Sequence, residues 1–379
     1  MLGGSGSDLR FMRLALQLAK RGRGQSGSNP SVGCVIVKNG RIIARSVTAA
    51  GGRPHAETLA IKQAGNECEG ATLFVTLEPC AHDGETPPCV LNIISSKITR
   101  VVCPLTDPDP RVSGRGFALL KNANIAVDII PSVKTCAEEI IQGFTSRIKR
   151  GRPYVTVKLG MSLDGKIASP QGKSKWITNN ASRARSHLLR VQNDAILVGT
   201  NTFRNDNPEL SVRGSLTGFS SPLRVFLDRT LEVFPSDIIV TNLRKYPSMI
   251  IYGNKPNYRH LNIWENENIK LIRIDSTSDG LNLNKIFEAL ANKGINSLLI
   301  EGGGKLVKSL LREALIDKLI VHKSGTVIGA DGVPSFAALD QNNKDISSYP
   351  NMELQSYTQH DGNLETVWKP IYTLETPQI

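Results

Sequence analysis

Apolar positions recur over residues 8–22 at Phe11, Leu14, Ala15 and Leu18, the spacing of one helix face, with Asp8 placed to cap its start. The period then shortens. Residues 32–37 form a continuous apolar run suited to a buried strand, and Lys38-Asn39-Gly40-Arg41 carries the Asn-Gly pair of a tight hairpin. Residues 42–47 return as the partner strand. Beyond them the pattern predicts helices over 55–64, 89–96 and 116–122, alternating with strands over 71–77, 99–103 and 125–130. Such alternation predicts an α/β layer structure.

The block Lys149-Arg150-Gly151-Arg152-Pro153 is charged and broken by Gly and Pro, which sets a boundary between domains spanning 1–148 and 149–379. A second α/β series follows. Its expected strands are 154–159, 195–199, 223–228, 238–241, 248–252, 297–301 and 319–322, and its helices 182–192, 283–294 and 304–313. A chain of 379 residues can give each domain its own core.

Composition changes the picture at two points. Lys and Arg exceed Asp and Glu by 12, an excess that suits a nucleic-acid binder or an enzyme of anionic metabolites. The excess divides as +7 in residues 1–150 and +5 in the rest, and aromatics are only 5%, thin for stacking on exposed bases. No apolar run reaches the ~18–20 residues of a membrane span, and the N-terminus lacks the pattern of a secretory signal. All six Cys lie at or before position 136, which points to a reduced, cytoplasmic protein whose cysteines bind metal, react or pack. Cys34, Cys68, Cys103 and Cys136 are expected to be structural.

The strongest chemistry is Pro54-His55-Ala56-Glu57, then Glu78-Pro79-Cys80 and Cys89. One His and two Cys make three ligands for a zinc ion with an open fourth position, the arrangement of a catalytic rather than a structural site. Glu57, two residues from His55, is placed to move protons without ligating the metal. His-x-Glu followed by Pro-Cys is the pattern of zinc nucleobase deaminases, here with eight residues between the cysteines instead of two. In the second domain, Leu299-Ile300-Glu301-Gly302-Gly303-Gly304-Lys305 reads as strand, Gly-rich turn and helix, a form able to hold phosphate.

The segments 29–37, 54–57, 77–80, 86–89 and 107–110 resemble the deaminase half of the bifunctional riboflavin-biosynthesis deaminase/reductase family. The long cysteine spacing is that family's own form. Segments 158–166, 174–178, 199–202, 206–208 and the Glu301 loop resemble its reductase half. The resemblance implies a cytidine-deaminase-like three-layer domain followed by a dihydrofolate-reductase-like domain. It implies Zn2+ at His55, Cys80 and Cys89, proton transfer by Glu57, and Asn29 and His82 at the pyrimidine and its sugar. It further implies NADPH along Gly160, Trp176, Thr202, Asp206 and the loop Gly303, Gly304, Lys305, Leu306, Val307, Lys308, Ser309. Substrate would meet Lys158, Ser174, Arg190, Leu210, Arg213 and Glu301, the two arginines at its phosphate.

The implied reactions are hydrolytic deamination of a phosphoribosylamino-diaminopyrimidinone and then reduction of the ribosyl chain to ribityl. The partner is a phosphorylated pyrimidine, with no nucleic acid or membrane, and a homo-oligomer is left open. Thr48 and Glu85 depart from the family, which often has His and a cation there. Arg53 or Arg115 is then the alternative cation for the phosphate in the deaminase half. Three other readings stand beside this one: a tRNA-editing deaminase with an accessory domain, a reductase with an inactive deaminase half, and a binding module. The last would close its zinc site with His82 or Cys34.

Overall fold

The computed structural model describes residues 6–82, 87–267, 269–277, 280–339, 345–346 and 349–372, so Glu85 lies outside the described residues. The chain forms two compact units. One takes the chain up to Pro153 together with Ala291–Asn296, and the other takes Tyr154–Leu290 and the chain from Ser297.

The first unit runs α1 (Gly6–Arg21), β1 (Gly33–Lys38), β2 (Arg41–Val47), α2 (Ala56–Ala64), β3 (Thr72–Val75), α3 (Cys89–Ser95), β4 (Arg100–Cys103), α4 (Arg115–Asn122), β5 (Ala126–Ile129) and α5 (Lys134–Arg150). Its sheet has the order β2-β1-β3-β4-β5. The hairpin β1–β2 and the pair β1–β3 are antiparallel, whereas β3–β4 and β4–β5 are parallel. Helix α1 packs with α5, and α3 packs with both α2 and α4, so helices clothe the sheet as outer layers. Val35, Ile36, Leu73, Val101 and Val102 are fully buried between them, as the apolar runs require. Helix α5 was not anticipated. Its 17 residues run through Arg150 and stop at Gly151, which takes the left-handed conformation at φ 64°.

The second unit runs β6 (Tyr154–Met161), β7 (Lys166–Ala168), α6 (Asn180–Val191), β8 (Ala195–Val198), α7 (Thr200–Asp206), β9 (Leu223–Leu227), α8 (Asp237–Lys245), β10 (Ser248–Tyr252), α9 (Tyr258–Asn266) and β11 (Lys270–Arg273). It continues with β12 (Ser276–Thr277), β13 (Gly280–Leu281), α10 (Leu283–Asn292), β14 (Ser297–Ile300), α11 (Gly304–Arg312), β15 (Lys318–Lys323), β16 (Val333–Pro334), β17 (Asn351–His360) and β18 (Asn363–Ile371). Nine strands form one sheet in the order β11-β10-β9-β8-β14-β6-β15-β18-β17. All pairs are parallel up to β6–β15, and β15–β18 and β18–β17 are antiparallel. Phe203, Phe226 and Trp264 fill the core on one side.

The expected strand at 238–241 is an error, because those residues belong to α8. The run Ile238-Ile239-Val240 is β-branched, yet only Val240 and Leu243 of its apolar residues are buried, three apart as on a helix face. No helix of the described residues is long and apolar enough to cross a membrane.

Candidate functional site

The first unit gathers its chemistry at the ends of three elements. His55 is the extended N-cap residue of α2, Glu57 lies in the first turn of that helix, and Cys89 is the first residue of α3. Cys80 follows β3. His55 Nδ1 lies 3.3 Å from Cys89 Sγ and 3.6 Å from Cys80 Sγ, and all three ligand atoms fall within 4.8 Å of one another. A tetrahedral zinc at its usual bond lengths would set such atoms about 3.5–3.8 Å apart, so these residues fit the ion. Among the described residues neither His82 nor Cys34 joins the group, which leaves three protein ligands and no closed site.

The electrostatics agree with a cation site. The Cys89 thiol and its backbone N–H both donate to Cys80, which holds the Cys80 thiol down to about 4 despite burial. Cys89 keeps its proton correspondingly more tightly, through Cys80 first and burial second. His55 is raised by the Cys80 sulfur. Burial, and then the Cys80 charge, push Glu57 up to about 6, so this carboxyl is poised to gain and lose a proton near neutrality.

His55, Cys80 and Glu57 open onto a cavity of about 420 Å³, which is also lined by Asn29, Thr48, Arg53, His82, Asp107, Arg111 and Arg147. Asn29 donates through Nδ2 to Gly52 O at 3.1 Å, and His82 Nδ1 is buried with no hydrogen-bond partner among the described residues. Thr48 is buried, its hydroxyl accepting from Val32 N–H at 2.9 Å. The opposite wall depends on Glu78, a residue given no role from the sequence. Its Oε2 accepts from the N–H of Asp107 at 3.0 Å and of Gly114 at 2.9 Å. Its Oε1 accepts from Gly116 N–H at 2.9 Å and Phe117 N–H at 3.3 Å. One buried carboxylate thereby fastens the 107–117 segment beside Cys80. Of the cysteines expected to be structural, Cys34, Cys68 and Cys103 are buried, whereas Cys136 is exposed on α5.

In the second unit, Glu301 follows β14 and pairs bidentately with Arg190 of α6, Nε to Oε1 and Nη2 to Oε2, both at 2.9 Å. Arg190 Nη1 also donates to Ser211 O at 3.0 Å. Lys158 on β6 lies beside them, its amine lowered by burial and supported by Glu301. Against its own burial, Glu301 is held down to about 2 by Arg190 and Lys158. Gly160 lies beside the Lys158 amine, where a Cβ would stand 3.6 Å from Nζ, an ordinary van der Waals contact.

The other expected residues divide. Trp176 is 70% exposed with the Arg183 guanidinium 4.3 Å from its ring centroid, so it is no core residue. Ser174 and Asp206 are exposed, and Thr202 lies in the first turn of α7. Leu210 is buried with φ 51°, and Arg213 is turned to Glu209 at 3.6 Å. Gly303 is the N-cap of α11 with no side-chain cap, and Leu306 N–H donates back to Gly303 O at 3.1 Å. Gly304 is needed for packing, because a Cβ there would meet Ala337 N at 2.8 Å. Val307 is buried in the core, so its side chain is turned from any ligand, and Lys305 is exposed. Leu306 and Ser309 instead line a cavity of about 180 Å³ with Gly199, Thr200, Arg229 and Arg312. Neither arginine was singled out from the sequence, since both sit in segments without a recognisable motif.

Comparison with known proteins covers both units. The family model described as the cytidine and deoxycytidylate deaminase zinc-binding region matches residues 5–105, and that of the RibD C-terminal domain matches residues 153–364. The riboflavin biosynthesis protein RibD of Aquifex aeolicus is 41% identical over 325 residues, which is 85% of this chain and 88% of the relative. That of Escherichia coli K12 is 37% identical over 335 residues, 86% of this chain and 89% of the relative. Among solved structures, RibD of Acinetobacter baumannii is similar with a TM-score of 0.86 at 32% identity, covering 97% of this chain and 99% of its own. A diaminohydroxyphosphoribosylaminopyrimidine deaminase/5-amino-6-(5-phosphoribosylamino)uracil reductase from Thermotoga maritima gives 0.82 at 32% identity, covering 96% and 99%. With a zinc-deaminase triad in one unit, a reductase match in the other and relatives that span nearly the whole of both, the chain belongs to the RibD family of riboflavin biosynthesis proteins.

Proposed function

We propose that the first unit hydrolytically deaminates 2,5-diamino-6-(5-phosphoribosylamino)pyrimidin-4(3H)-one and that the second reduces the ribosyl chain of the product to ribityl with NADPH. The observation that carries this reading is the convergence of His55, Cys80 and Cys89 within 4.8 Å of one another, with His55, Cys80 and buried Glu57 facing one cavity. A zinc ion held by those three residues supplies water activated at neutral pH. Glu57 takes up the proton released there and returns it to the departing amine, so that water is consumed and ammonia leaves. Its carboxyl, raised to about 6, suits both directions of transfer. Asn29 and His82 orient the pyrimidine, His82 with a ring nitrogen available to it.

In the reductase unit NADPH supplies the hydride, and the protein holds and orients the two reactants. The N-terminus of α11 and the small cavity of Leu306, Ser309, Arg229 and Arg312 support a place for one phosphate of that cofactor. Glu301, Arg190 and Lys158 form the charged floor for the substrate chain.

The test is to give the zinc-loaded protein its pyrimidine and NADPH and follow ammonia and NADPH separately. Glu57→Gln should cut ammonia release at least ~100-fold while NADPH oxidation with pre-deaminated substrate persists. Chelation of zinc should have the same selective effect. Ammonia release that survives Glu57→Gln would remove the proposed proton carrier.

A further inference from the structure

We infer that His322 is a positioning residue of the reductase unit: Glu365 fixes its Nε2, and its Nδ1 is the acceptor that directs the Lys158 amine toward the substrate chain. The inference rests on the reductase reading above and assigns the group behind its charged floor.

One face of the second sheet carries a row of polar groups beneath α6. Strand register sets Ile320 beside Lys158 and His322 beside Gly160, and Glu365 flanks His322 from β18. Positions two apart on a strand share a face, so Lys158, Ile320, His322 and Glu365 project to one side, as would a Cβ on Gly160. Arg190 meets Glu301 at one end of the row. At the other, Arg185 Nε donates to Glu365 Oε2 at 3.1 Å. Both arginines belong to α6. Each end is thus a closed ion pair, and Lys158 and His322 stand between the two.

His322 is fully buried, and its Nε2 lies 2.9 Å from Glu365 Oε2. An ionised carboxylate can only accept, so the ring proton is on Nε2. Burial keeps the imidazole neutral, which leaves a lone pair on Nδ1. That Nδ1 is buried with no hydrogen-bond partner among the described residues. The charged and titratable groups around the ring are Lys158 on β6, Glu365 on β18, His360 at the end of β17 and Arg185 on α6. Arg185 is turned to Glu365, and His360 Nε2 faces the same carboxylate at 3.7 Å.

Lys158 differs from these. Its amine feels the charges of Glu301 and Arg190 but makes no hydrogen bond among the described residues. It lies 3.6 Å from the place of a Cβ on Gly160, the strand position next to His322, and neighbouring strands run only about 4.8 Å apart. An acceptor without a donor and an amine without an acceptor therefore adjoin on one face. A hydrogen bond between them, direct or through one hydroxyl, satisfies both. An ammonium has three N–H groups. With one given to Glu301 and one to His322, the third is aimed at the sugar chain.

The experiment uses the full chain and the pre-deaminated substrate. NADPH oxidation is followed for wild type, His322→Gln and His322→Asn, and the Kd for NADPH is measured by its fluorescence. The Gln amide nitrogen takes the place of Nε2, keeping Glu365 but leaving no acceptor at Nδ1. The Asn amide oxygen takes the place of Nδ1 and gives up Glu365. His322→Gln should lower kcat at least about tenfold with the NADPH Kd within about twofold, and His322→Asn should recover part of the loss. A merely structural histidine gives the reverse order, because Asn breaks the buried contact with Glu365. That order, or equal kcat in all three proteins, would overturn the inference. The contact is also read without turnover, from the nitrogen spectrum of isotope-labelled histidines, where the His322 signals are those lost in His322→Gln. Lys158→Met should shift the Nδ1 signal and leave Nε2 protonated, and an unmoved Nδ1 would again overturn the inference. An Nδ1 that responds to Lys158→Met in a protein that oxidises no NADPH would uphold the contact and count against the reductase reading.

Discussion

Glu78 shows how much one side chain can organise. Its two oxygens take four backbone N–H groups from Asp107, Gly114, Gly116 and Phe117, and it stands two residues before Cys80. Glu78→Gln would turn an amide donor toward two of those N–H groups, leaving buried donors facing each other. The expected cost is about 2–3 kcal/mol in urea unfolding of the first unit, with ammonia release reduced at least ~10-fold and NADPH oxidation unchanged. Unaltered ammonia release would show that the 107–117 wall does not need this tether. The clustering of His55, Cys80 and Cys89 was legible because His-x-Glu and Pro-Cys announce their chemistry within a few residues. Glu78 belongs to the same motif, but its partners lie some thirty residues on, and no local pattern says which amides a carboxylate will meet. Arg147 was hidden for a similar reason, on a helix whose apolar face drew no attention.

At the level of elements, the strands with continuous apolar runs were readable, and the exceptions have separate causes. Helix α8 reads as a strand in the sequence because three β-branched residues follow one another, although Ile238 is 75% exposed. Strand β17 shows no apolar alternation because it is exposed along nearly all its length. Helix α8 is held by a group invisible to periodicity. The Arg224 side chain on β9 is fully buried, and its Nη2 donates to Asn242 O at 2.8 Å, Leu243 O at 3.0 Å and Ser248 Oγ at 2.6 Å. It satisfies carbonyls at the end of α8, one of which, Leu243 O, also accepts from Ser248 Oγ at 2.9 Å. Arg224→Met keeps most of the volume and removes every donor, so the second unit should lose about 3 kcal/mol in urea unfolding. An unchanged midpoint would mean water replaces the guanidinium without cost.

For the whole molecule, the excess of 12 positive charges fits small anionic substrates in two units, and no long basic stretch is needed to explain it. Stability should nevertheless depend on acids. Glu301 is held at about 2 by Arg190 and Lys158 against its burial, and Glu365 at about 2 by His322 and Arg185 against its own. Both carboxyls bind a proton less readily in the folded chain than in the unfolded one. Their contribution is complete above the ordinary value of 4.5 and disappears as pH falls from there toward 2. His322, lowered by burial, acts in the same direction, since acid must charge it inside the core. Glu301 alone is worth on the order of 3 kcal/mol over that window. The urea midpoint of the second unit should fall steadily below pH 4.5, and a flat midpoint down to pH 3 would contradict this.

The nine-stranded order has a consequence for how the chain is made. Strand β6 opens the second unit but lies between β14 and β15, so it must wait for α6 through α10 to be synthesised before either neighbour exists. The five strands of the first sheet all lie upstream of α5 and can pair before that point. On the ribosome, the metal-binding sheet can therefore form early, while β6 emerges as an apolar strand with two open edges. Distant pairings of this kind make folding slow and leave such edges exposed to wrong partners.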